Sequence, residues 1–164
     1  VVHHDLDAVR RAATELLHQH PEIHVLIHNA GALDDVRAES PQGIEQTIAA
    51  HVVGPFLLTM LLEPALRAAA PSRVLWVSSG GMYAEPLDAD TIEMDATSYD
   101  GVRAYARAKR AQVTLSELLA ALPGGPCGRW SIELVNGDRG HSDQETQGGA
   151  VQRPEGVGPP RHSM

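Results

Sequence analysis

Apolar residues recur along the chain in two patterns, one with helical spacing and one in short continuous runs. Helical spacing predicts three helices, over residues 7–20, 44–66 and 102–122. Asp7 can cap the first helix with its carboxylate, and the pair Gly54-Pro55 should bend the second. A short apolar run follows each predicted helix, so helices and strands are expected to alternate.

The short apolar runs predict strands over residues 23–27, 74–77 and 130–135. The run at 74–77 is apolar throughout, which is typical of a strand buried on both faces. Alternating helices and strands imply parallel strands with helices on both faces of the sheet. We therefore expect an α/β fold, a Rossmann-like doubly wound parallel sheet, over residues 1–140. The apolar pattern ends there, and residues 141–164 are expected to form a disordered tail.

The composition is that of an ordinary globular domain, with 43% hydrophobic and 21% charged residues among 164. A formal net charge of -8 argues against nucleic acid or an anionic membrane as the main partner. The single cysteine, Cys127, cannot form a disulfide within the chain, and a cytoplasmic location is expected. The most apolar stretch, residues 52–62, is too short to span a bilayer, so no membrane span is expected.

Small polar residues follow the first two predicted strands, at the sheet edge where parallel sheets carry their chemistry. Asn29-Ala30-Gly31 comes after the first strand, and Ser78-Ser79 ends the second. Each motif could simply form a turn, because asparagine, serine and glycine favour turns. Their occurrence together, at corresponding strand ends, favours a functional site.

A tyrosine and a lysine lie four residues apart on the third predicted helix, and therefore on one face of it. A cation held near a phenol favours the phenolate, which suits a tyrosine to proton transfer. Lys109 is the only lysine in the chain, and every other strong base is an arginine. A slender ammonium can reach two ribose hydroxyls where a broad guanidinium would not fit. The spacing of Tyr105 and Lys109 is weak evidence alone and gains weight from the strand-end motifs.

As a set, these residues resemble the short-chain dehydrogenase/reductase family. The matching motifs are His28-Asn29-Ala30-Gly31, Val77-Ser78-Ser79-Gly80 and Tyr105-x-x-x-Lys109. The gap from Ser79 to Tyr105 is longer than in most members. That gap and Tyr99-Asp100-Gly101 are similar to the subgroup of dehydrogenase/reductase member twelve.

The resemblance implies a nicotinamide-dependent oxidoreductase, using NAD or NADP, that reduces a carbonyl or oxidises an alcohol on a small molecule. Tyr105 would be the catalytic acid and base. Lys109 would favour the phenolate and hold the nicotinamide ribose, and Ser79 would bind the substrate oxygen. The implied cofactor-binding residues are Asp5, which would meet the adenine, Asn29, Ala30, Gly31, Tyr105 and Lys109.

The chain departs from the family pattern in three places. It begins after the strand whose glycine-rich turn cradles the pyrophosphate, so we expect an N-terminally incomplete domain that is inactive alone. His51 stands where the family has a relay asparagine, and a histidine there could relay protons. The family's Pro-Gly motif is missing after the third strand. The composition from Pro123 onward would fit a frameshift or a fragment end.

Other functions stay open beside the oxidoreductase. A related epimerase or dehydratase uses similar tyrosine and lysine residues but regenerates its cofactor. A cofactor-sensing or interaction protein would keep the fold and lose turnover. Homo-oligomers could pair through the second and third helices, whose apolar residues could equally pack on the sheet. No metal site is expected, because His18 and His20 lie on different helix faces without a carboxylate cluster.

Overall fold

The computed structural model describes residues 4–121 in full and residues 130–136 by their backbone. The predicted disordered tail, Cys127 and the glycine–proline break after the third helix lie outside these residues. In chain order the elements are α1 (Leu6–Gln19), β1 (Val25–His28), α2 (Gln46–Ile48), a π-helical turn (Ala49–Val53), α3 (Gly54–Ala68), β2 (Ser72–Ser78), a 3₁₀-helix (Gly80–Ala84), α4 (Gly101–Ala121) and β3 (Trp130–Asn136).

The three strands form one parallel sheet in the order β1-β2-β3. In the register of the first pair, Leu26 lies beside Val74 and His28 beside Trp76. The predicted parallel neighbours are therefore confirmed, and so is the third strand. Both crossovers move across the sheet in the same direction. Because such connections are right-handed, their helices belong on the same face.

That face of the sheet, which we call the covered face, carries the hydrophobic core. Val74 and Trp76 of β2 are both 0% exposed on this face. They form one cluster with residues of all three long helices, namely Ala13 of α1, Leu62 and Leu66 of α3, and Leu119 of α4. One apolar stripe of each helix is therefore buried against the same strand.

The opposite face of the sheet, which we call the open face, is much less buried. Val25 and Ile27 of β1 point to it and are 51% and 57% exposed. Leu75 and Val77 of β2 are half-buried. The prediction that β2 is buried on both faces is therefore wrong for this face. Within residues 4–121 and 130–136, helices cover one face of the sheet only, for the reason of handedness given above.

The first helix is capped by Asp5. The prediction that Asp7 caps it is wrong. The backbone of Asp5 is extended, and its Oδ1 accepts a hydrogen bond from the Asp7 N–H at 3.0 Å. A capping residue lies just outside the helix, where its side chain can reach the first free N–H groups. Asp7 instead lies in the first turn, where its charge favours the positive end of the helix dipole.

The second predicted helix forms one helical stretch over Gln46–Ala68, in which Ala49–Val53 are π-helical and α3 begins with Gly54 and Pro55. Proline has no N–H to give to the carbonyl four residues earlier, which here is that of His51. Gln112 of α4 donates its Nε2 to this carbonyl at 2.6 Å. The proline that was expected to bend the helix thus opens a carbonyl to a neighbouring helix.

The stretch Gln46–Ala68 also has the length and apolar character of a membrane-spanning helix. Composition alone does not separate such a span from a core helix. In this structure Leu62 and Leu66 of the stretch are fully buried against the sheet. That packing is typical of a core helix in a globular domain.

Candidate active site

Tyr105 and Lys109 lie on α4 beside the carboxyl end of β2. Asp100 precedes this helix and accepts two hydrogen bonds from its first turn. Its side-chain Oδ1 accepts from the Arg103 N–H at 3.0 Å, and its backbone carbonyl accepts from the Ala104 N–H at 2.8 Å. The Lys109 Nζ lies 5.4 Å from the centre of the Tyr105 ring. The predicted shared helix face is therefore confirmed.

The Lys109 ammonium is held inside the protein. The residue is 3% exposed, and its Nζ donates to the carbonyl oxygen of Val77 at 2.9 Å. Burial lowers the pKa of Lys109 from 10.5 to about 8, because a charged amine loses hydration there. An ammonium has three N–H donors, so the bond to Val77 leaves capacity for ribose hydroxyls.

The two serines at the end of β2 have different surroundings. The Ser78 hydroxyl is buried and lies 3.5 Å from the Lys109 carbonyl oxygen and 3.4 Å from the Met82 sulfur. Ser79 is half-buried and caps the following 3₁₀-helix, accepting from the Gly81 N–H at 3.3 Å. Ser79 is thus the more accessible of the two, as its predicted role at a substrate oxygen requires.

Residues 29–31, the Asn-Ala-Gly motif, follow β1 directly. Asn29 is exposed and Ala30 half-buried. Both border a groove of about 430 Å³ whose other lining residues are Val9, Ala12, Leu16, Ile27, His28, Gly54, Pro55 and Leu58. Gly31 lies outside that lining and faces His51, since a Cβ built on it would lie 3.6 Å from the His51 Nε2.

Asp5, the predicted adenine contact, makes contacts with neighbouring protein groups. Besides capping α1, its Oδ1 lies 3.3 Å from the amide nitrogen of Gln42, and its Oδ2 lies 3.7 Å from the Arg11 guanidinium. A carboxylate can accept further hydrogen bonds. Its role toward a cofactor stays a prediction.

His51 is buried, and both of its ring nitrogens contact backbone atoms. The Nε2 accepts from the Ala32 N–H at 3.1 Å, and the Nδ1 lies 2.8 Å from the Thr47 carbonyl oxygen. Burial lowers the pKa of His51 below 6.5, opposed by the hydrogen bond to Thr47 and assisted by the charge of Lys109. Both ring nitrogens therefore face backbone groups, and a proton-relay role for His51 stays a prediction.

The groups at these strand ends fit the nicotinamide and ribose end of a dinucleotide. A buried ammonium beside a phenol supplies donors for ribose hydroxyls, and the groove beside Asn29 and Ala30 adjoins α1 and α3. No strand in the described part of the chain is followed by a glycine-rich turn that opens an α-helix, so these residues do not account for a pyrophosphate site. Residues 4–121 and 130–136 also contain no group of histidine, cysteine and carboxylate side chains that could hold a metal.

Comparison with known proteins assigns this arrangement to a family. Residues 2–125 match the model of the NAD dependent epimerase/dehydratase family. Human dehydrogenase/reductase SDR family member 12 is 39% identical over 99 residues, which are 60% of this chain and 31% of that protein. The chain belongs to the short-chain dehydrogenase/reductase family. The resemblance drawn from the motifs, including that to member twelve, is confirmed.

Solved structures agree with the Rossmann-like fold. An uncharacterized protein from Mycobacterium paratuberculosis superposes with a TM-score of 0.67 at 28% identity, covering 85% of this chain and 49% of that one. A short chain dehydrogenase from Shigella flexneri in complex with NADP gives a TM-score of 0.57 at 22% identity, covering 80% and 49%. The chain spans about a third of the length of its curated relatives and about half that of the solved structures.

Two features of the site are not predicted from the sequence. Gln112 lies three residues after Lys109 and donates to the His51 carbonyl. A glutamine among the alanines of a buried helix stripe was the available signal. Glu85 accepts from Arg103 at 2.7 Å and from Arg107 at 3.0 Å, tying the loop after Ser79 to α4. Hydrogen bonds from these two guanidinium groups lower the pKa of Glu85. No motif spacing predicts that contact, because 18 residues separate Glu85 from Arg103.

Proposed function

We propose that this chain carries the catalytic half of an NAD(P)-dependent oxidoreductase that acts on a small carbonyl or alcohol. The observation that carries the proposal is the buried Lys109 ammonium, 5.4 Å from the Tyr105 ring centre at the end of a parallel strand. Burying a charged amine costs free energy, and hydrogen bonds such as the one from the Lys109 Nζ to the Val77 carbonyl offset part of that cost. The Lys109 ammonium lies where it could contact both the Tyr105 phenol and the ribose of a bound cofactor.

The Tyr105 hydroxyl donates a proton to the substrate oxygen during reduction and removes it during oxidation. Lys109 would favour the phenolate through its charge and would hydrogen-bond the ribose hydroxyls of a bound cofactor. Ser79 donates to the substrate oxygen and stabilises negative charge as it develops there. A nicotinamide cofactor, when bound, would supply or accept the hydride.

The test is the substitution Tyr105→Phe in the complete protein. It removes one hydroxyl and keeps the ring that contacts His51. We expect turnover of a carbonyl panel, followed by nicotinamide absorbance with NADH and with NADPH, to fall at least about 100-fold. Cofactor affinity by calorimetry should stay within about threefold. Turnover that survives the substitution would overturn the role of Tyr105.

An epimerase or dehydratase is the second candidate, and the match to the NAD dependent epimerase/dehydratase model favours it. Such an enzyme returns its cofactor to the starting oxidation state. Product analysis separates the two functions. Net oxidation of nicotinamide in proportion to product supports the reductase, whereas product formed on catalytic cofactor supports the epimerase or dehydratase.

A further inference from the structure

His51 joins three separate parts of the candidate site. It is 1% exposed and lies in the π-helical turn. Its ring contacts the Ala32 N–H after β1 and forms a T-shaped contact with the Tyr105 ring on α4, with ring centres 5.4 Å apart at 87°. Its backbone carbonyl accepts from Gln112, also on α4. One residue thus links the groove-lining turn to the helix of the catalytic tyrosine.

The two ring contacts determine which nitrogen carries the proton. A backbone N–H can only donate, so the His51 Nε2 that faces Ala32 must be unprotonated. A carbonyl oxygen can only accept, so the Nδ1 that faces Thr47 must carry the hydrogen. The neutral ring with its proton on Nδ1 satisfies both contacts. A protonated ring would place an N–H against the Ala32 N–H, and that contact would be lost.

The charges around His51 come from several elements. Lys109 on α4 opposes a second positive charge, whereas Glu45 before α2 and Asp34 in the loop after β1 favour it. Tyr105 packs against the ring from α4, and the Tyr99 hydroxyl lies 3.1 Å from the Thr47 hydroxyl nearby. Burial outweighs the other influences and favours the neutral ring.

We propose that His51 is a positioning residue that holds the turn of residues 29–32 against the Tyr105 helix, and that it does so only while its ring is neutral. Acidification then releases the turn without unfolding the domain. The consequence for catalysis rests on the proposed function, since Asn29, Ala30 and Gly31 of this turn are predicted cofactor-binding residues. The hydrogen-bonding state of His51 does not depend on that function.

Nitrogen-15 spectra of the histidine rings test the proposal in the wild-type protein. At pH 7.5 we expect the His51 Nε2 to resonate as an unprotonated nitrogen and Nδ1 as a protonated one. As the pH falls to 5, the exchange protection of the Ala32 amide should decline at least tenfold, corrected for intrinsic rates, while protection in the core of α3 stays. A ring protonated on Nε2 at pH 7.5, or Ala32 protection that is unchanged at pH 5, would overturn the proposal.

Two variants sharpen this test. His51→Phe keeps an aromatic ring beside Tyr105 but has no acceptor, so Ala32 protection should already be low at pH 7.5. His51→Asn offers a side-chain oxygen that does not titrate in this range, and any protection it restores should be independent of pH. His24→Phe, at an exposed position, is the matched control. Spectra of the rings and amides are read without turnover, so a protein that fails as an oxidoreductase can still pass this test.

Discussion

The two faces of the sheet differ although their sequences are similarly apolar. On the covered face, Val74 is 0% exposed and packs among three helices. On the open face, Val25 of the neighbouring strand is 51% exposed. Chain order and crossover handedness contribute to this difference, since α3 and α4 lie in two connections that cross the sheet in one direction. The comparison teaches that apolar strand residues contribute to stability only where the connecting helices bury them.

The matched pair Val74→Ala and Val25→Ala tests this comparison most directly. We expect Val74→Ala to lower the free energy of unfolding by about 2 kcal/mol, because two buried methyl groups are lost and a cavity is left. Val25→Ala should cost less than about 0.5 kcal/mol. Urea denaturation followed by circular dichroism measures both. Equal losses would show that the open face is covered in solution.

The hydrogen bond from Gln112 to the His51 carbonyl is a polar contact among the helices that pack on the covered face. We expect Gln112→Leu to cost about 1 kcal/mol, because it leaves a buried carbonyl without that donor. The substitution also removes the Gln112 Oε1, which is buried and has no hydrogen-bond partner among the described residues, and this keeps the loss of stability small. Pro55→Ala restores an N–H to the helix. In a Pro55→Ala protein, Gln112→Leu should therefore lower the free energy of unfolding by less than half as much. Additive effects in the double-mutant cycle would contradict the link between Pro55 and Gln112.

Burial beside the covered face should also be visible in the titration of Lys109. We expect a midpoint near pH 8, below the usual 10.5, because burial disfavours the ammonium. Selective carbon-13 labelling of lysine gives a single signal, since the chain has one lysine. The folded pKa is depressed, so the associated stability is present above pH 10.5 and is lost as the pH falls through 8. A midpoint near 10.5 would place the amine in water.

The smallest expected effect is on association through the open face. Ile27→Lys places a charge on an exposed apolar strand and should reduce concentration-dependent self-association without changing the unfolding midpoint measurably. Sedimentation velocity at several concentrations measures the change. Arg73→Ala, on the same face, is the control that alters charge without removing apolar surface. Loss of folding in Ile27→Lys would show that this face carries more of the core than its exposure suggests.

Local chemistry made much of the site predictable from sequence. Tyr105 and Lys109 share a helix face because four residues make about one turn. The turn at Asn29 and the serines at Ser78 and Ser79 follow apolar runs and so had to emerge at strand ends. His51 could be named from its motif but not interpreted. Whether its ring relays protons or accepts from Ala32 depends on which atoms the fold brings to its two nitrogens.

The sequence by itself determined the elements, their parallel order and the residues that meet at one sheet edge. These follow from periodicity, from turn residues and from crossover handedness, which act over a few residues or apply to every chain. Only the tertiary structure decided which strand face is buried, that Gln112 serves the carbonyl beside Pro55, and that Glu85 ties its loop to α4. Such contacts join residues far apart in sequence, and their free energy depends on burial and geometry that no local pattern records.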